Sequence, residues 1–567
     1  MFKNQPKGLY VLALANTGER FGYYTMLAIL LLFLQSKFAF STATASFIYS
    51  TFLALVYFMP LIGGFIADKW NFQKTVTIGI IVMFLGYLVL AIPTAPMEIS
   101  SLVIFIAGLL LVSCGTGLFK GNLQVMVGDL YNDPKYSDKR DVAFSLFYMA
   151  INIGAMFAPS VTVWLCENAL KAQNLVYEGA LPGLCNYVIA GELKEIEPEQ
   201  MSYLMGFVKD ADLTEWCKIY MNTISTGYSW AFAVACGSMI ISFLIYKIGA
   251  STYAHIATGD NNKSASNDKS LVDNLTPAQT KSRIIALMLV FAVVIFFWMV
   301  FHQNGNTLTK FAQVFTSNES FGWTRIGFNV WALATIVVGV YSLFNIFQSK
   351  GLSRFISVII FAGACTGIYF FYKYTADPVT GLQPQIYQQF NPFYVVALTP
   401  VSVAFFSWLG KRKKEPSAPR KIGYGMIVAA AAFGLITICS IGLGVPPEKG
   451  VAKTLVSPNV LIGTYLMLTF AELLLSPMGI SFVSKVAPPK YKGAMMGCWF
   501  GATAIGNYLV AIPGKLWNMI EVSTLWTILM VICLISAAFI FIMMKKLEAA
   551  TSDTPAVEEE EGVLEDA

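Results

Sequence analysis

Charge is scarce in this chain. Only 13% of the 567 residues are Asp, Glu, Lys or Arg, against 56% apolar, and the mean hydropathy is +0.62. A soluble protein of this length needs a polar surface that such a composition cannot cover, so soluble enzymes, fibres and disordered chains are excluded. Histidine is scarcer still, with only His255 and His302. No cluster of metal-ligand spacing, no nucleophile motif and no glycine-rich phosphate loop stands out, which argues against a membrane-embedded enzyme and against ATP drive; no cofactor or metal is expected. The net charge of +5 is small and concentrated in a few loops, so nucleic acid is not an expected partner.

Apolar runs of bilayer-spanning length are abundant. They fall at 9–34, 44–67, 75–92, 101–127, 142–165, 227–246, 284–302, 328–347, 355–372, 393–409, 422–443, 460–483, 494–512 and 525–544, which makes fourteen. Lys and Arg gather in alternate loops: Lys69 and Lys74, Lys135 to Arg140, Lys247 to Arg283, Lys350 and Arg354, the cluster from Lys411 to Lys421, Lys485 to Lys492, and Lys545 with Lys546. That pattern predicts a multi-pass protein of the plasma (inner) membrane with both termini cytoplasmic. The first run is too long for a signal-peptide core and lacks a small-residue cleavage site, so it reads as a retained helix.

The same arithmetic divides the chain into a first half, 1–248, a cytoplasmic linker, 249–283, a second half, 284–549, and an acidic disordered tail, 550–567. Residues 166–226 form a polar extracytoplasmic stretch holding three of the nine cysteines, Cys166, Cys185 and Cys217, where a disulfide is conceivable but one thiol is left over. The other six lie in apolar runs and read as small packing residues.

An ionisable side chain near the bilayer centre costs about 2.5–3.5 kcal/mol on insertion scales, so each one needs an explanation. In the first run, Asn16, Arg20, Tyr23 and Tyr24 share a helical stripe beside Glu19. This is either an interhelical hydrogen-bond seam or a binding surface, and the adjacent Glu19 and Arg20 are expected to find partners on other helices. Lys120 needs a carboxylate, either Glu19 or a bound substrate. Glu472 precedes Ser476, Pro477 and Gly479, which invite a broken helix of the kind that lines transporter sites. His302, at the end of the seventh run, suits a proton relay, although a lone helix-end histidine is more often simply hydrogen-bonded. Gly493, Gly497 and Gly501 make a small-xxx-small run that favours close helix packing.

These residues sit in motifs. They are Asn16-Thr17-Gly18-Glu19-Arg20-Phe21-Gly22-Tyr23-Tyr24; Tyr57-Phe58-Met59-Pro60 leading to Gly63-Gly64-Phe65-Ile66-Ala67-Asp68; Lys120 followed by Gly128-Asp129; Phe144 to Gly154 with Asn152; Trp298 to Gly305; Asn391-Pro392; Glu472 with Ser476-Pro477; and Trp499 followed by Gly506-Asn507. In order and along nearly the whole chain, they resemble the proton-dependent oligopeptide transporter (POT) family of the major facilitator superfamily. The resemblance implies an all-α membrane protein of two six-helix bundles around a cavity that opens alternately to each side, with an extra helix pair at about 328–372. Familiar bacterial members carry such a pair between the sixth and seventh helices, whereas here it follows the seventh. Three positions depart from the family. Asn16 replaces the first acid of the signature, His302 stands where the seventh helix usually has an acid, and Ser50 occupies the place of a histidine in animal members.

The resemblance implies import of di- and tripeptides coupled to protons, by a monomer whose other partner is membrane lipid. A peptide is a dipole of carboxylate and ammonium at fixed separation, and Arg20 and Lys120 on one half with Glu472 on the other would complement its two ends. Tyr23, Tyr24, Tyr57 and Trp499 would supply adaptable surface, and Asn152 and Asn391 would bond amides or termini. With two family proton carriers replaced, Glu19, Glu472 and His302 are the groups left to couple protons. Nitrate or another small anion on the same fold, an uncoupled facilitator and a non-transporting nutrient receptor are the alternatives; Glu472 speaks against a purely anionic cargo.

Overall fold

The computed structural model describes residues 5–94, 98–132, 135–136, 140–208, 212–254, 276–447, 450, 452–488 and 491–552. His255, most of the linker and the acidic tail from 553 onward lie outside these. Among the described residues the regular structure is helical, with two isolated β-bridges. Fourteen helices are long and apolar enough to cross a membrane.

The first half comprises α1 (Lys7–Phe38), α2 (Thr42–Trp70), α3 (Phe72–Ala91), α4 (Ile99–Asp129), α5 (Arg140–Lys171), the short α6 (Leu181–Ala190) and α7 (Pro198–Met205), and α8 (Leu213–Ile248). Polar caps set the turns. Ser41 accepts from the Thr44 amide to start α2, and Asn71 Oδ1 accepts from the Gln73 amide at 2.7 Å to start α3 one residue after α2 ends. Packing pairs α1 with α5 and α8, and α4 with α2 and α3.

Glycine permits the closest of these approaches. A Cβ on Gly63 would lie 2.1 Å from the Gly117 carbonyl oxygen, and one on Gly79 would lie 2.9 Å from that of Gly115. In lipid, where there is no hydrophobic drive between helices, such backbone contact and its van der Waals gain hold the bundle together. Of the run expected to do this in the second half, Gly497 comes close to α2 through a side chain, with Leu61 Cδ2 at 3.2 Å, and Gly501 faces open space, while the surroundings of Gly493 lie outside what is described.

The second half comprises α9 (Pro277–Phe301), α10 (Thr307–Val314), α11 (Val330–Gln348), α12 (Leu352–Tyr374), α13 (Phe390–Lys411), α14 (Ala418–Cys439), α15 (Pro458–Val486), α16 (Lys492–Leu509), α17 (Ala511–Leu516), α18 (Val522–Ile542) and α19 (Met544–Ser552). Here α14 packs on α15 and α18, and α9 on α16. The extra pair, α11 and α12, packs on itself and touches the bundle mainly through α13. Its outer end is tied by Arg325, which donates to the carbonyls of Gly322 and Tyr372 at 2.5 and 2.7 Å and pairs with Asp377 at 3.3 Å. Fourteen such helices put the start of α1 and the end of α18 on one face, the terminal face, and α6 and α7 on the other, the loop face.

Several expectations are corrected. The polar stretch is shorter than 166–226, because α5 continues to Lys171 and α8 starts at Leu213; Cys166 and Cys217 therefore lie in helices. These two and Cys185 are buried and unbonded, while Cys114, Cys365 and Cys498 are exposed rather than packed. The helix break expected after Glu472, at Ser476 to Gly479, is absent, since α15 runs unbroken through 458–486. A break lies instead at His302–Gly305, a 3-10 turn between α9 and α10.

The halves meet along two seams, α2 against α16 and α17, and α5 against α13. Apart from the Tyr148–Glu472 bond deeper between them, the hydrogen bonds that join the halves among the described residues gather on the loop face. Ser46 donates to Asn306 at 2.6 Å, Ser160 to Gln389 at 2.7 Å, and Gln388 to the Ala28 carbonyl at 3.2 Å. Gln383 and Gln385 donate to the Tyr177 carbonyl and hydroxyl, Gln313 to the Gly179 carbonyl, and Asn318 to Glu178. The loop face is closed.

Candidate functional site

Between the bundles, nearer the terminal face than this seal, most of the charges singled out in the sequence converge. On α1, Glu19 and Arg20 are both buried. They do not pair with other helices as expected: the Arg20 guanidinium grips the adjacent Glu19 carboxylate with two nitrogens, Nη2 donating to Oε1 at 2.7 Å and Nε to Oε2. A planar fork on a carboxylate satisfies both groups at once.

That leaves Lys120, on α4, without the carboxylate anticipated for it. Its ammonium lies 3.8 Å from the centroid of the Tyr57 ring on α2 and makes no ion pair among the described residues. An aromatic face attracts the cation yet leaves its donors free for an anion. Tyr57 in turn approaches Trp298 and His302 on the other half, with ring centroids 6.5 and 6.2 Å away. His302 stacks on Trp298 at 5.0 Å, and its Nδ1 is buried without a partner.

On α15, the Glu472 carboxylate is buried and takes one bond from each half. Tyr148 Oη, on α5, donates to Oε1 at 3.0 Å, and Asn391 Nδ2, on α13, donates to Oε2 at 2.9 Å. Asn391 also reaches Thr469 Oγ1 at 3.1 Å. Asn152 lies one turn beyond Tyr148 and donates to that residue's carbonyl at 3.0 Å. Tyr148 falls within the fifth-helix motif, Phe144 to Gly154, without a role of its own there; its position one turn before Asn152 is the available signal.

The remaining residues sit apart from the charges or beneath them. Tyr23 is buried under Arg20, 5.0 Å from Cζ, and stacks on Phe52, so it supports the pair, while Tyr24 meets it edge-on at 5.2 Å and is partly exposed. Trp499 is buried against Gly479, where a Cβ would lie 2.0 Å from its ring. Asn16 is buried with its Nδ2 unpartnered, and Ser50 bonds only to its own helix, at the Phe47 carbonyl. The described residues hold no group of three or more His, Cys, Asp or Glu able to ligate a metal.

Two helical bundles sealed on one face, with cations on one half opposed to a carboxylate on the other, define a membrane transporter of the alternating-access class. The chain belongs to the POT family: the model described as PTR2, POT family, matches residues 73–276 and 368–527. It is 26% identical over 532 residues to the dipeptide and tripeptide permease A of Serratia proteamaculans, covering 90% of this chain and 84% of that protein. The Escherichia coli protein of the same name is 23% identical over 538 residues, covering 90% and 85%. A solved peptide transporter POT in complex with sulfate superposes with a TM-score of 0.65 at 21% identity, over 97% of this chain and 96% of that one, which supports the fold.

Proposed function

We propose that the protein imports di- and tripeptides by alternating access, driven by protons, with the terminal face in the cytoplasm. The orientation rests on the Lys- and Arg-rich alternate loops. The observation that carries the cargo is the asymmetry of the site: Lys120 offers unpaired donors from the first half, and Glu472 offers a buried carboxylate from the second. A peptide carboxylate takes the first position and the amino terminus takes the second, displacing the Tyr148 and Asn391 bonds in part. Because the two charges belong to different bundles, a bound peptide pulls the halves together, whereas an anion alone engages only one of them. The named function of the relatives agrees with this reading.

Coupling follows from the Glu19–Arg20 fork. While Glu19 is ionised, Arg20 is held; a proton on Glu19 loosens the fork and frees the guanidinium to join Lys120 at the peptide carboxylate. Glu472 and His302 are the other groups able to carry the proton, and Asn16, which cannot titrate, leaves the role to these three.

The test is uptake of a labelled dipeptide into proteoliposomes, with and without an imposed pH gradient. Wild-type protein should accumulate peptide only with the gradient, and Lys120→Ala should lower uptake by about 30-fold or more, the usual cost of removing one partner of a buried charge pair. Lys120→Arg should also be impaired, because a rigid fork does not replace a compact ammonium over Tyr57. Equal uptake by Lys120→Ala would reject the site, and indifference to the gradient would make the protein a facilitator.

A further inference from the structure

A second cation lies buried between the bundles, on the loop-face side of the site above. Lys310, on α10, is 95% buried (5% exposed), and its ammonium has a single hydrogen bond, donated to Gln313 Oε1 at 2.6 Å. No carboxylate pairs with it among the described residues. It lines a cavity on the loop face whose polar walls also include Gln35, Ser41, Tyr177, Asn186, Tyr228 and Gln313, and no Asp or Glu takes part in the lining. Asn186, on α6, is 2% exposed. Its amide nitrogen is used on the Gln35 carbonyl at 3.1 Å, while its Oδ1 has no partner; Gln35 Oε1 is likewise buried and unpartnered.

A buried ammonium with one neutral acceptor leaves two N–H donors unmet, and desolvating such a charge without a counter-charge is costly. We propose that this cavity is an anion site for a small carboxylate, separate from the central peptide site. The carboxylate takes the free donors of Lys310, and the flanking amide oxygens of Asn186 and Gln35 accept from whatever N–H or O–H the molecule carries beside its carboxylate. Lys310 belongs to the second half, and Asn186 and Gln35 to the first. A bound carboxylate therefore bridges the halves and stabilises the state in which the loop face is closed, by the difference in its affinity for closed and open states.

The experiment uses purified full-length protein and its thermal unfolding midpoint, titrated with acetate against chloride at matched ionic strength. Acetate should raise the midpoint saturably in the wild type, beyond chloride. Lys310→Met should weaken the apparent acetate affinity by about tenfold or more, the loss of a charge-assisted hydrogen bond, and without acetate it should melt no lower than the wild type, since an unpaired buried charge has been removed. Asn186→Ala tests the other wall with a donor-bearing carboxylate, glycolate, for which it should lose more affinity than for acetate. The increment should persist in Lys120→Ala, which separates this cavity from the central site. In that background an acetylated dipeptide that stabilises while its C-terminal amide does not would show that a peptide carboxylate is also accepted; stabilisation by acetate alone confines the site to free carboxylates. Equal increments in wild type and Lys310→Met, or chloride matching acetate, would overturn the proposal.

Discussion

Glu472 is the residue on which the two halves agree. Two donors, from α5 and α13, hold one carboxylate between them, and burying an anion in a membrane protein is tolerable only with such bonds. Replacing Glu472 by Gln keeps the size and removes the charge. Dipeptides with a free amino terminus should then lose about 30-fold or more in apparent affinity, as when one partner of a buried pair is deleted, while N-acetylated dipeptides change little. Tyr148→Phe, which removes one of the bonds that the amino terminus displaces, should leave that affinity unchanged or raise it, by up to about tenfold, the worth of one bond to a charged group. Competition against a labelled peptide reads both, and equal loss for free and blocked ligands would remove Glu472 from the amino-terminus role. Tyr148 also shows the limit of reading residues singly: nothing in the composition of the fifth helix says which face meets another helix's carboxylate.

At the level of elements, the break between α9 and α10 performs the closing of the loop face. Gly305 sits against Tyr49 on α2, where a Cβ would lie 2.0 Å from the hydroxyl, and Asn306, the next residue, accepts from Ser46 on the same helix. Gly514, the fourth of six residues in the short α17, meets Ser46 in the same way, with a Cβ 2.2 Å from its hydroxyl. Gly305→Ala should therefore prop the loop face open without disturbing either bundle. Spin labels at Gln173 and Val445, both exposed on loop-face segments of opposite halves, should report a longer distance in this variant, and an unchanged distance would show that the seam yields. The sequence pointed to a broken helix at Pro477 and Gly479 because those residues disfavour helix. In lipid, though, the surrounding helices hold a long span together through such positions, and α15 is continuous. The break falls instead where a backbone must come within touching distance of a tyrosine on another helix, which no local propensity encodes.

For the whole molecule, closure is also a titration. Glu178, outside the spanning helices, accepts from Asn318 across the seam at 3.3 Å. Burial raises its carboxyl above the usual range, and the bonds from Asn318, Tyr203 and the backbone of Ala180 and Gly179 offset this only in part. A carboxyl whose affinity for protons is higher in the closed state than in an opened, hydrated one takes up a proton on closing. Its contribution is fully present at low pH and is lost as pH rises through the closed-state value. Acid on the loop face should thus favour the closed state, and Glu178→Gln should flatten that dependence while keeping an oxygen for Asn318. The Gln173–Val445 label distance measured across pH 4–8 would check it, and an unaltered profile in Glu178→Gln would assign the dependence to other groups.

The count of spans, the place of the extra pair and the identity of the charges could be read directly from the residues, because crossing a bilayer is a one-dimensional demand: about 20 apolar residues in a row, with any charge inside standing out against them. Which charge pairs with which is a three-dimensional matter. Glu19 was a candidate partner for Lys120, yet Arg20 takes it, leaving Lys120 on the Tyr57 ring. The glycines that let helices touch most closely include Gly63, Gly79 and Gly305 rather than Gly497 and Gly501, because a close approach depends on what stands opposite. Lys310 lies outside every apolar run and draws no notice in the sequence, yet folding places it, buried and without a carboxylate, in a cavity between the halves. The chain's own order determines the solvent each segment prefers, and only the tertiary structure decides its neighbours, since electrostatic pairing and steric contact act across space whatever the separation along the chain.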